Sequence, residues 1–127
     1  MNRMEKVHAL RSDPKVHYNC AQSVLIPYAQ ECGLSEEQAN RVAANFGGGM
    51  KVASVCGAVT GAVMALGAMG YGEDETRRLI KAFRTKNGCL ECAGLLKAAH
   101  ERGEERKCHC DRVIDECVAL IEELTGK

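Results

Sequence analysis

Between Val52 and Gly72 the chain carries no charged residue, five glycines and a single leucine. Such a stretch has few ways to fold. Its missing charges favour burial on every side, and its alanines and glycines let other helices approach closely. Gly57-x-x-x-Gly61 is the spacing of a membrane dimer motif. Crossing a bilayer, however, needs about 20 strongly apolar positions, and this stretch has neither isoleucine nor phenylalanine. A central buried helix from about Ala53 to Met69, and no membrane span, is therefore expected. A homodimer through the Gly57/Gly61 face is conceivable from the same spacing, and the oligomeric state is otherwise open.

The flanking segments are helical in pattern. Met1 to Arg11 suits a short amphipathic helix, interrupted by Pro14. From about Asn19 to Gln30, Ala21, Val24, Leu25 and Tyr28 share one face, with a bend at Pro27 and a cap at Gly33. Ser35-Glu36-Glu37-Gln38 is a capping box that opens a helix to about Phe46, before Gly47-Gly48-Gly49 breaks it. Glu73-Asp74-Glu75 supplies the acidic first turn of a helix carrying Leu79, Ile80 and Phe83 and ending at Asn87-Gly88. Leu90 to about His100 forms another. After the charged stretch Glu101–Lys107, a last helix is expected from about Cys110 to Leu124, with Val113, Cys117, Leu120, Ile121 and Leu124 as its apolar stripe. No segment alternates in the manner of a strand. The expected fold is all-α, a compact bundle of about five or six helices around the small-residue central helix. Residues 1–17 form an N-terminal segment and 18–127 a single domain.

Composition narrows the function. Hydrophobic residues make up 46% and charged residues 27% of the 127, a globular balance. Seventeen basic residues offset 17 acidic ones, and tryptophan is absent, so no nucleic-acid footprint is expected. The first residues lack the apolar core of a secretory signal. A cytoplasmic location is the corresponding expectation, and structural disulfides are rare there. The eight cysteines are then catalytic, metal-binding or buried rather than a covalent framework.

Their positions favour reactivity. Cys20, Cys56, the pair Cys89 and Cys92, and the pair Cys108 and Cys110 all fall near expected helix starts. There, unpaired N–H groups and the macrodipole favour a thiolate. If those ends converge, they form a shared pocket of thiols suited to a thiolate, sulfide or oxyanion. Cys56 is the leading candidate for a low-pKa thiol. Cys32, at a helix C-terminus, and Cys117, on an apolar face, are expected to be structural. His109, between two cysteines, is a candidate base or ligand. His17 is placed to assist Cys20, Lys51 and Lys107 lie close in sequence to Cys56 and Cys108, and Gly47–Gly49 could cradle an anion.

Asn19-Cys20-Ala21-Gln22-Ser23-Val24-Leu25, Gly47-Gly48-Gly49-Met50, Cys56-Gly57-Ala58-Val59-Thr60-Gly61, Cys92-x-x-Leu95-Leu96 and Cys110-x-x-Val113 together resemble the C-GCAxxG-C-C family of redox-active proteins. The resemblance runs from about Tyr18 to Leu124. It implies a small helical protein with a redox role and four defining cysteines, which correspond to Cys20, Cys56, Cys92 and Cys110. The family includes selenoproteins and is related to split-Soret cytochromes, which brings haem or metal chemistry nearby. This chain departs from the pattern by adding Cys89 and Cys108.

Three chemistries follow. The first is thiol–disulfide exchange or electron transfer by Cys20, Cys56, Cys92 and Cys110, as a thiol oxidoreductase acting on a redox partner or a small thiol or sulfur substrate. The second uses the same four cysteines as ligands to an iron–sulfur cluster or zinc, with Cys89, Cys108 and His109 as weaker ligands. Cys89-x2-Cys92-x15-Cys108-x-Cys110 approaches a zinc ribbon but ends one residue short. The third is haem. Covalent attachment needs histidine after Cys-x-x-Cys, and Ala93 stands there. Noncovalent binding would draw on His17, His100 or His109. No phosphate-binding loop or paired-carboxylate pattern is present.

Overall fold

Glycine and alanine on one helix face permit an approach that larger residues forbid, and the fold is organised around one such contact. In the computed structural model, which describes residues 2–127, the charge-free stretch forms α4 (Gly57–Ala68). It packs most extensively against α2 (Cys20–Leu25). A Cβ placed on Gly61 would lie 2.7 Å from the Ala21 carbonyl oxygen and 3.2 Å from the Val24 Cβ, so α4 touches the α2 backbone directly. The Gly57/Gly61 face is thus covered from within the same chain. Its spacing is therefore accounted for by the α2 contact without a second copy of the chain. No helix among the described residues is long and apolar enough to cross a membrane.

The remaining helices enclose this pair. They are α1 (Arg3–Arg11), α3 (Glu36–Ala43), α5 (Glu73–Asn87), α6 (Cys92–Glu101) and α7 (Arg106–Thr125), with 3-10 turns at Ile26–Tyr28 and Ala44–Phe46. Seven α-helices and no sheet make the described residues all-α, as expected. Val59 and Leu66 of α4, Leu79 and Phe83 of α5, and Ile114 and Val118 of α7 are buried together in one core. Local signals explain most boundaries. Asn19 and Ser35 each cap a helix through a reciprocal pair, with Gln22 and Gln38 respectively. The Glu75 carboxylate accepts from the Gly72 N–H at the start of α5, and Gly88, at φ 87°, ends it. Pro27 has no N–H to continue α2, and the chain tightens into the 3-10 turn there.

Of the boundaries that differ from the sequence expectation, two bear most on the cysteines. α7 begins at Arg106, four residues early, with Glu105 extended before it. The charged stretch is therefore partly helix, and Cys110 sits a full turn inside it. α4 begins late, at Gly57 rather than Ala53. The intervening chain coils the other way: Gly48, Gly49, Met50 and Lys51 all have φ between 60° and 63°. This left-handed turn costs a non-glycine residue about 1–2 kcal/mol, and two of its four members are not glycine. It closes on a Ser54 N–H to Gly49 carbonyl bond of 2.8 Å. Beyond it, Val55 bridges Glu91, the Cys56 N–H donates to Leu90 O at 2.8 Å, and the Cys92 N–H donates to Ser54 O at 2.6 Å. The segment ahead of α4 is in this way fastened to the start of α6.

α1 packs on α2 and α7, burying Val7 completely. Its last residue, Arg11, donates to the Asp111 carboxylate at 2.6 Å and to the Tyr18 carbonyl at 2.7 Å.

Candidate thiol site

The four cysteines approach one another because the helices that carry them do. Cys20 is the first residue of α2, Cys56 the N-cap of α4, Cys92 the first residue of α6, and Cys110 the fifth residue of α7. All four line one small cavity of about 40 Å³, with Gly48, Gly57, Leu95, His109 and Val113 among the other walls. A Cβ on Gly57 would sit 3.2 Å from the Cys20 Cβ, so a glycine here is what brings Cys20 against the start of α4. A Cβ on Gly49 would meet the Cys92 Cβ at 2.9 Å, which ties the left-handed turn to the same cavity.

Burial and partners set the four sulfurs apart. Cys20 and Cys110 are neighbours in the cavity, and their interaction favours the thiol form of Cys20 and the thiolate form of Cys110. The hydrogen bond from Cys20 lowers the Cys110 pKa to about 6. Arg11 and Arg106 add to this, against the opposing effects of burial and Asp111. The same bond, together with burial, pushes Cys20 far upward. Cys56 is raised to about 11 by burial, although the N–H groups of Ala58 and Val59 pull the other way. This overturns the expectation that Cys56 is the low-pKa thiol. It is only 4% exposed, and the cost of desolvating a thiolate there exceeds what the helix start returns. Cys92 is also raised, by burial and by Cys110, with Arg106 opposing.

Residues 18–124 match the sequence profile of the family described as "Putative redox-active protein (C_GCAxxG_C_C)". The chain belongs to this family. No curated protein and no solved structure matches it. The four cysteines that the resemblance assigned to the family motif are the four that line the cavity, while Arg11 lies outside the matched residues.

The other cysteines are placed differently. Cys117 is fully buried and Cys32 half-buried, its thiol 3.7 Å from the Ala65 carbonyl; burial raises both pKa values. Cys108 is exposed, because two residues along a helix turn a side chain about 200° away from Cys110. Cys89 is half-buried, with its sulfur 3.9 Å from the Glu91 carbonyl oxygen. Among the described residues no three His, Cys, Asp or Glu side chains are grouped to hold one metal ion. Neither Cys89, Cys92, Cys108 and Cys110 nor Cys20, Cys56, Cys92 and Cys110 are drawn together into such a group in this structure. A 40 Å³ cavity has room for about one water, not for haem. His17 and His100 are exposed.

His109 is 2% exposed and lines the cavity. Its Nδ1 lies 3.2 Å from an Arg112 nitrogen that can only donate and 3.6 Å from Glu104 Oε1; the shorter contact favours Nδ1 as acceptor, with the proton of a neutral ring on Nε2. Burial and Arg112 lower its pKa further. Arg112 in turn binds Glu104 and Glu116. Hydrogen bonds from Arg112 and Arg102 lower Glu104 to about 2. An unfolded glutamate titrates near 4.3, so this contribution to stability is complete above that pH and disappears as pH falls through about 2. Glu104→Gln should accordingly lower the thermal midpoint at pH 6, and the two proteins should converge by pH 2.

Two cations beside the thiols were not among the candidates offered by the sequence: Arg11 and Arg106. Arg106 precedes Cys110 by four residues, one turn along the same helix face. That spacing is meaningful only once α7 begins at Arg106 rather than at Cys110. Arg11 reaches the site only through the docking of α1, which leaves no local trace in the sequence.

Proposed function

We propose that the chain is a thiol–disulfide oxidoreductase whose working pair is Cys110, the attacking thiolate, and Cys20, the resolving thiol. The observation that carries this reading is that Cys20 and Cys110 are the two cysteines lining both the small cavity and the open cleft above it, with Cys110 favoured as the ionised member. The Cys110 thiolate attacks one sulfur of a substrate disulfide. A Cys110–substrate bond forms, the substrate S–S bond breaks, and one substrate half leaves as a thiolate, taking up the Cys20 proton. Cys20 then attacks the Cys110 sulfur, forming the Cys20–Cys110 disulfide and releasing the second half as a thiolate. Two electrons pass from the pair to the substrate, and a dithiol reductant reverses the steps to restore the pair. Cys56 and Cys92 flank the pair as the less acidic thiols of the same cavity.

Alkylation of the reduced protein across a pH series, with the modified peptide identified by mass, tests this reading. Cys110 should be half-ionised near pH 6, Cys56 should stay unmodified well above neutrality, and mild oxidation should link Cys20 to Cys110 reversibly. An unreactive Cys110 below pH 8, or an oxidised product linking other cysteines, would falsify the assignment.

A further inference from the structure

The cleft above the thiol pair is chemically one-sided. It encloses about 540 Å³, the size of a site for a small molecule. Cys20 and Cys110 line it, as do the cationic side chains of Arg11, Arg106 and Lys107, with His17 beside them. Asn19 and Gly48 complete the lining, and no carboxylate belongs to it. Asp111 pairs with Arg11 and Lys107, so those two cations are partly neutralised. Arg106 has no carboxylate partner among the described residues, and its charge already acts on both Cys110 and Cys92. It is exposed, one helical turn before Cys110, where it can meet a negative group on a molecule whose sulfur has reached the pair.

We infer that the substrate is a small disulfide bearing carboxylates, guided by Arg106 and its basic neighbours onto Cys110. This rests on the thiol-exchange reading above and adds the charge of the molecule that is exchanged. A carboxylate against Arg106 places the substrate sulfur over Cys110 and offsets the repulsion between an anionic substrate and the attacking thiolate. The effect belongs to charges near a surface, and ionic strength screens it.

The test compares three disulfides on the full chain: glutathione disulfide, which is anionic; bis(2-hydroxyethyl) disulfide, which is neutral; and cystamine, which is cationic. The rate of Cys110 mixed-disulfide formation should fall in that order. The anionic probe should lead the neutral one by about tenfold at low salt, as expected for Arg106 with two partly neutralised cations near a surface. High salt should collapse the spread. Arg106→Gln should bring the anionic-to-neutral ratio towards one; the ratio is the readout because the substitution also changes how much Cys110 is ionised. Equal rates for all three probes, or a ratio unmoved by both salt and Arg106→Gln, would overturn the inference and leave thiol exchange standing. No reaction of Cys110 with any of the three would instead overturn the exchange reading on which it depends.

Discussion

Cys20→Ser should stop the exchange halfway, with the protein accumulating as a mixed disulfide on Cys110. The serine hydroxyl can still donate to the Cys110 thiolate but cannot attack its sulfur. Cys20→Ala removes the donor as well. Because that hydrogen bond is the largest influence on Cys110, its pKa should climb towards the ordinary value near 8.5. The thiolate share at pH 6 would then drop from about half to below ~1%.

Cys110→Ser should show the largest loss, and at acid pH. At pH 5 a thiol of pKa about 6 is roughly one-tenth ionised, and an ordinary thiol is ionised about 300 times less. Lower basicity offsets roughly one power of ten through a Brønsted coefficient of about 0.4–0.5. The wild-type protein should therefore react about 20-fold faster than Cys110→Ser at pH 5, and the advantage should vanish by pH 8. An advantage that grows with pH would show that the reactive thiol is not the one assigned.

The second large effect concerns stability, and its sign opposes helix propensity. Alanine is favoured over glycine inside a helix by about 1 kcal/mol, yet Gly61→Ala should destabilise the protein by about 1–3 kcal/mol, because the new methyl meets the Ala21 backbone. That corresponds to roughly 4 °C in thermal midpoint per kcal/mol for a chain of this size. Gly67, exposed on the same helix with nothing within 4 Å of an added Cβ, is the control. Gly67→Ala should gain about 0.8–1 kcal/mol. Thermal melts of the two variants check both signs. Equal gains would mean that α2 and α4 do not touch at Gly61.

Much of this fold was legible because its signals are local. The capping pair at Ser35/Gln38, the glycine at 88 and the charge-free run all act within a few residues. The all-α class and the burial of α4 follow from them. The left-handed turn at Gly48–Lys51 was not legible: the glycines announced a break, but Met50 and Lys51 do not ordinarily adopt that conformation. The site divided in the same way. The motif spacing singled out the four cysteines that line the cavity, but it could not rank their acidity. Ranking depends on which sulfur is buried and which arginine docks beside it. Cys56 has the better helix position and the worse solvation. Cys110, a turn inside α7, has the neighbouring donor and the cations.

The bridge between Val55 and Glu91 bears on what an oxidation cycle would demand of the protein. Cys56 and Cys92 are held at their posts by main-chain bonds to Leu90 and Ser54, and none of these bonds involves sulfur. The frame around the thiols is thus indifferent to electron count. In the thiol form described here, the frame is assembled without any crosslink.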